Sequence, residues 1–422
     1  MRKIFIIMTV ATGIALGAQA QQSAELAALQ QQLNELSAKI AQLEKANAEK
    51  AALVEKTALV ENENAAKIAQ IEQDNAKKAW SIEQLQAEGK KDDAASWAND
   101  IKLAGDIRAR YENRQVDSDT TKDRDRIRVR LGAYGKVNDY TDFGVRLATG
   151  GERTSSNSDF GENGDAMKNI YLDQAYVDMH PELFGGAHLW LGKIPQPWIT
   201  YNSGLIWDTD LNPEGAAVTY EKDYVPFKLK ANAGTFIITE NLDDDIQLWN
   251  AQAAIEKKVG PGTLTLGVSD YYFDSGTNLV SYLKAKSANT PGGEFNLVEG
   301  FGSYGFTAFK LPVLLLSQYV VNTEAATSED TAYLAGITIG KAKDKGTWEV
   351  GYSYRDIEND AVVGGLNDSD FAGQTWTGGH GHWFKAKYQI SKNLSADLAY
   401  ILSTDYLDRD AKTFQADLNF KF

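Results

Sequence analysis

Apolar and polar residues alternate with period two along residues 124–150, RDRIRVRLGAYGKVNDYTDFGVRLATG. Ile127, Val129, Leu131 and Ala133 fall on one face of an extended strand. Arg126, Arg128 and Arg130 fall on the other, because successive side chains in a strand point to opposite sides. The polar break Asn138-Asp139-Tyr140-Thr141 turns the chain back. Phe143, Val145 and Leu147 then repeat the apolar face, and Arg146 the basic one. The pattern continues to the last residue in segments of roughly ten, the length that membrane-spanning strands require. It predicts strands near 101–112, 124–136, 142–150, 169–179, 187–194, 214–221, 226–239, 247–257, 262–273, 300–309, 313–321, 331–340, 346–355, 381–390, 394–403 and 413–422. The expected fold is an all-β transmembrane barrel of about 16 antiparallel strands, apolar outside and polar within. In the first strand Leu103, Ile107, Ala109 and Tyr111 face out, and Arg108 and Arg110 face in.

Three features outside the alternation support this reading. All eight prolines fall in connections or at strand edges, where a missing N–H costs no ladder bond. Short connections alternate with long ones at 151–168, 195–213, 274–299 and 356–380, as expected of periplasmic turns and outer loops. The last strand alternates Phe414, Ala416, Leu418, Phe420 and Phe422, ending on an aromatic carboxyl terminus.

The N-terminal part follows other periods. Residues 1–20 read as an export signal: Arg2 and Lys3, a short apolar run, then Ala18-Gln19-Ala20. Over 21–90 a heptad is legible. Leu26, Leu33, Ile40, Val54, Ile68 and Ile82 occupy a, and Leu29, Leu36, Leu43, Ile71 and Leu85 occupy d. So narrow a stripe has nothing to cover it except copies of itself, so the expectation is an oligomeric α-helical coiled coil, roughly 90–100 Å long. Asn47 and Asn75 at a weaken that seam and fix its register; dimer and trimer are both compatible with it. Residues 91–99 form a polar linker, and 100–422 the barrel.

Composition narrows the function. The net charge of −15 argues against a nucleic-acid partner. With no cysteine, disulfides, thiolate nucleophiles and cysteine metal sites are excluded. The acids concentrate in the long connections, leaving strands and short turns net basic. Arg108, Arg110, Arg126, Arg128, Arg130 and Arg146 would then form a basic patch on one inner wall. Neighbours such as Asp106 and Glu112 would pair with part of it. In the loop 195–213, PQPWITYNSGLIWDTDLNP, the residues Trp198, Tyr201 and Trp207 are too apolar for a freely solvated loop. Packed inside the barrel, this loop would present Asp208 and Asp210 to the narrowest point, facing the basic wall; the alternative is a cap on a subunit interface. His380 and His382 lack a third metal ligand, and Asp243-Asp244-Asp245 and Asn367-Asp368-Ser369-Asp370 lack the spacing of a dedicated Ca²⁺ site. The two acidic stretches read as solvated loops. No enzyme motif and no cofactor is indicated.

The pieces DRDRIRVRLG, GVRLATGGE, Asn169 to Tyr176, LWLGKIPQPW and WDTDLNPEGAAV resemble the putative porin family of Gram-negative outer membranes. The run they occupy, Arg124 to Tyr220, is about a quarter of the chain. With its coiled coil, the chain is also similar to trimeric dicarboxylate porins and, more distantly, to phosphate-selective porins. The resemblance implies a homotrimer amid outer-membrane lipid and lipopolysaccharide, with the third outer loop folded into the channel. The function expected is passive diffusion of small hydrophilic solutes, with an anion preference from the basic wall. The rival is a structural protein whose periplasmic coiled coil spaces the membrane from peptidoglycan, the barrel being its anchor.

Overall fold

The computed structural model describes residues 100–422, except 120, 151–154, 162–166, 241–244, 275–278 and 284–286; before residue 100 it describes only Gln30, Ser37 and Lys67. The export signal, the coiled coil (those three positions apart) and the linker lie outside the described residues.

Sixteen strands form the wall. In chain order they are β1 (Lys102–Val116), β2 (Lys122–Asn138), β3 (Thr141–Thr149), β4 (Ile170–Met179), β5 (Ala187–Lys193) and β6 (Glu214–Tyr224). There follow β7 (Phe227–Thr239), β8 (Ile246–Val259), β9 (Gly262–Asp274), β10 (Phe295–Ala308) and β11 (Leu311–Asn322). The last five are β12 (Thr331–Gly340), β13 (Trp348–Ile357), β14 (Gly379–Ser391), β15 (Leu394–Thr404) and β16 (Asp410–Lys421). Each pairs antiparallel with the next. β16 returns to β1 in a register running from Asp106 opposite Lys421 to Val116 opposite Ala411, so the sheet closes without an edge. Closure satisfies every wall strand on both sides, the condition for crossing lipid with β-structure. No described helix is long and apolar enough to span a membrane.

Side chains follow the expected parity. Leu103, Ile107, Tyr111 and Leu131 are exposed on the outer face, while Glu112, Arg114, Arg126 and Arg128 are buried within. Exposed aromatics gather outside at both ends: Tyr111, Tyr272 and Tyr333 near the long loops, and Tyr224, Trp348 and Phe420 near the short turns. Such girdles suit the two membrane–water interfaces.

Several strands outrun their predicted spans toward the long-loop end. β1 continues to Val116 and β10 starts at Phe295. There Asn113, Asp123 and Gln115 take outward positions, so hydropathy loses the pattern while backbone pairing continues. β2 also overshoots β3. Ser158–Asp159 pairs with it, Arg126 opposite Asp159, and the Phe160 amide donates to the Asp125 carbonyl at 2.8 Å. This two-residue strand supplies partners that β2 would otherwise lack.

Candidate functional site: a charged constriction

The loop 194–213 lies against the inner wall. Gln252, inward on β8, accepts from the Ile199 amide at 2.7 Å and donates to its carbonyl at 3.2 Å. The Trp198 ring meets Trp207, Phe236 and Tyr271 edge-on, with centroids 5.4, 5.6 and 5.6 Å away. Ile194, Leu205, Phe236 and Leu248 are wholly buried in the same cluster. Tyr201 meets Phe301 edge-on, with centroids 5.9 Å apart, and its hydroxyl accepts from Ser303 at 3.0 Å. The Trp207 indole N–H donates to the Leu211 carbonyl at 3.0 Å.

A second loop, 358–378, joins it. The Asp208 amide donates to the Leu366 carbonyl at 2.6 Å and the Asp368 amide to the Gly204 carbonyl at 2.9 Å. Within each loop the first carboxylate of an Asp-x-Asp pair accepts the amide of the second, at 2.8 Å in both. Gly204 takes a left-handed conformation (φ +66°), and a Cβ there would sit 2.6 Å from that of Asp368. Glycine is what permits this approach. Arg355 of β13 braces the pair. Its guanidinium donates to the Ser203 carbonyl at 2.9 Å and lies between the Phe371 and Trp383 rings, 4.9 and 4.8 Å from their centroids. The 367–370 stretch, expected as solvated acidic loop, is instead packed: Asn367 is buried and Asp368 and Asp370 are only partly exposed.

Opposite the apolar seat stands the arginine wall. Arg108 faces Arg128 across the β1–β2 pair, and Arg110 faces Arg126, an arrangement that repels unless acids intervene. They do. Arg110 grips Asp417 with two bonds of 2.7 and 2.8 Å and reaches Asp370 at 3.3 Å. Arg128 and Arg130 both donate to Asp106 at 2.8 Å, and lie 3.6 and 3.7 Å from Asp210. Arg126 donates to Asp159 at 2.7 Å and Arg124 to Glu112. Arg108 donates to Asn157 at 2.5 Å and lies 3.9 Å from Asp417. Six guanidiniums thus meet six carboxylates. Asp210 does not face the wall across a gap, as expected from sequence, but is docked on it. Arg146 stands apart from the patch: it sits opposite Gly132, below Arg130, and donates to Asp173 of β4.

Between wall and loops lies a cavity of about 450 Å³, lined among others by Arg108, Arg110, Arg128, Asp208, Asp210 and Lys385. Its loop acids behave differently. Burial alone would raise Asp210, but Arg128, Arg108 and Arg130 hold it at about 2. Asp370 is likewise lowered, burial being outweighed chiefly by Arg110. Asp208 and Asp368 are the opposite case. Burial, then the mutual repulsion of the clustered acids, lifts Asp208 well above the usual carboxylate range and Asp368 to about 6. A carboxyl with a raised pKa carries charge only above that value, so lowering pH from about 8 to 5 removes negative charge from the cavity. A charge 4 Å from a passing ion is worth about 4 kcal/mol at an effective dielectric of 20. A tenth of that after hydration and screening shifts the cation-to-anion permeability ratio about twofold, toward anions, as pH falls. Asp208→Asn/Asp368→Asn is expected to abolish this response in KCl-gradient reversal potentials, and Asp368→Asn alone to reduce it. An identical response in the double variant would remove the two acids as its source.

Sequence reasoning missed Arg124, Arg355, Asp417 and the acids of the second loop. Asp417 was legible from parity, since Ala416 and Leu418 face out. Asp368 and Asp370 repeat the Asp-x-Asp of the first loop, a signal that pattern reading passed over. His380 and His382 lie on β14 with side chains exposed; His382 stacks on Tyr352.

The family model described as "Putative porin" matches residues 115–311 and 306–422, well over half of the chain. No curated protein matches it. Among solved structures, OprB of Pseudomonas putida at high pH is 11% identical, with 77% of this chain and 95% of that one covered and a TM-score of 0.53. OmpF of Salmonella typhi, in complex with daunomycin, is 11% identical, with coverage of 76% and 97% and a TM-score of 0.49. At such identities the likeness is one of fold, and it rests on the OprB comparison. The family match places function beside it: the chain belongs to the putative porin family, and its closed sixteen-stranded barrel is that of an outer-membrane porin.

Proposed function

We propose that the barrel is a passive diffusion channel for small hydrophilic solutes, working without chemistry or cofactor and with a weak preference for anions. The observation that carries this reading is the charged cavity between the arginine wall and the two loops, with guanidinium and carboxylate groups in one aqueous space. Such a lining replaces part of the hydration of a small polar solute without holding it, the condition for passage. The preference is weak because Arg108, Arg110, Arg126, Arg128, Arg130 and Arg146 each already have a carboxylate within 4 Å. It favours anions because each guanidinium has five N–H donors and few acceptors to meet them; Arg108 Nε, for instance, is buried without a partner. The channel would work as a homotrimer among lipid and lipopolysaccharide, exported by residues 1–20, with 21–90 a periplasmic coiled coil reaching toward peptidoglycan.

Single-channel recording in a planar bilayer tests this, with the whole mature chain and with one lacking residues 21–90. The described wall ladder begins at Lys102, paired with Tyr134, so the shortened chain is expected to insert and to conduct like the full one. Its trimer is expected to dissociate at lower temperature, read from electrophoretic mobility. A barrel silent in both forms would favour the rival reading, a membrane anchor for a spacer. Failure of the shortened chain to insert would show that the helix is needed for assembly.

A further inference from the structure

At the short-turn end of the barrel, away from the constriction, a separate cluster of titratable side chains has no part in the reading above. Asp142, at the start of β3, stands directly opposite Asp178 of β4 in the antiparallel register. Both are on inward positions, and like charges directly opposite one another destabilise a sheet unless a cation lies between them. Two imidazoles complete the group. His180 Nε2 lies 3.4 Å from an Asp142 carboxylate oxygen, and the His180 amide donates to the Tyr140 carbonyl at 2.8 Å, which fixes the turn. His188 Nδ1, on β5, lies 3.0 and 2.9 Å from the two Asp178 oxygens. The two histidine rings are 5.0 Å apart. Ligand atoms of Asp142, Asp178 and His180 all fall within 4.8 Å of one another, the one place among the described residues where three such atoms do so. The remaining oxygen of Asp142, Oδ1, is buried without a hydrogen-bond partner.

We propose that Asp142, Asp178 and His180 bind a divalent transition-metal ion of the Zn²⁺ class, with His188 holding Asp178 from behind. Metal–ligand bonds of roughly 2.0–2.2 Å put tetrahedral ligands about 3.3–3.5 Å apart. From separations of up to 4.8 Å, the side chains need close by at most about 1.5 Å to reach that spacing. Imidazole in the set selects Zn²⁺, Cu²⁺ or Ni²⁺ over Ca²⁺ and Mg²⁺, which take oxygen ligands. A metal would neutralise the facing carboxylates and give the orphaned Asp142 oxygen a partner. His188, donating its ring N–H to Asp178, is a positioning residue of the kind that orients a ligating carboxylate. Three protein ligands leave a position for water, so the ion would exchange and not be locked in.

The bland alternative is that the two histidines, when protonated, simply pair with the two aspartates. The whole chain, made without a histidine tag, stripped with chelator and kept in detergent, separates the two. Zn²⁺ is titrated in competition with a chromophoric chelator, and Co²⁺ is followed by its visible ligand-field spectrum. The expected result is one ion per barrel at micromolar or tighter affinity. Asp142→Asn and His180→Gln are expected to weaken it tenfold or more, and His188→Gln about tenfold, in keeping with loss of a supporting partner. His380→Asn/His382→Asn is expected to leave it unchanged. Heat-modifiable mobility and conductance, both like the wild type, would confirm that the variants are folded barrels. If the wild type takes up no stoichiometric Zn²⁺, the proposal fails on that arm alone. It also fails if uptake survives Asp142→Asn and His180→Gln but disappears in the His380/His382 variant.

Discussion

Arg126→Glu/Arg128→Glu/Arg130→Glu is expected to turn the channel strongly cation-selective, by tenfold or more in permeability ratio. The substitution changes the wall by six charge units, and it does so where low-dielectric walls strengthen the field. It also strips Asp106, Asp159 and Asp210 of close partners, so the new acids add to existing ones instead of replacing neutral contacts. Reversal potentials in a KCl gradient measure the change. Arg128→Gln with Asp106→Asn is the control, since it removes one pair at constant net charge and should move the potential little. A wild type already selective for cations, and unmoved by the triple substitution, would mean that the arginines serve only as structure. The outer-loop acids would then govern what enters.

Trp198→Ala is expected to unseat the inner loop and raise single-channel conductance. The indole fills the space between Trp207, Phe236 and Tyr271 and is itself 5% exposed. Truncating such a buried aromatic costs about 3–5 kcal/mol. The barrel wall does not depend on it, because its ladder closes through β1 and β16 without the loop. The loss therefore falls on the loop. The polar ties that remain, Gln252 to Ile199 and Asp208 to Leu366, are each worth about 1 kcal/mol net. Larger and noisier conductance with unchanged barrel mobility is the expected record. Conductance equal to the wild type would show that the loop is held by its clasp to 358–378 and not by its aromatic seat.

How the two loops came to lie inside was only partly written in the chain. Trp198, Tyr201 and Trp207 announce a loop that needs cover. The cover itself is marked by consecutive apolar residues near the long-loop ends of β8 and β9, Leu248-Trp249 and Tyr271-Tyr272-Phe273. There Trp249 and Tyr272 are exposed outside while Leu248, Tyr271 and Phe273 are buried within. Strict alternation hides this, because it assigns one apolar face per strand; two apolar faces mean lipid on one side and protein on the other.

By itself the sequence determined the wall. Period-two alternation, proline placement and loop-length alternation are local properties, and they dictate sixteen strands, their facing and their polarity, because a strand buried in lipid has no other way to satisfy its backbone. Tertiary structure alone decided what the inner charges do. Arg110 and Asp417 are far apart in the chain yet meet at 2.7 Å, since ring closure joins the first strand to the last. Asp210 and Asp370 reach the same wall from two different loops. Asp142, Asp178 and His188 come together from three strands. Charge pairing depends on distances of a few ångströms across strands and loops, and no local pattern records those distances.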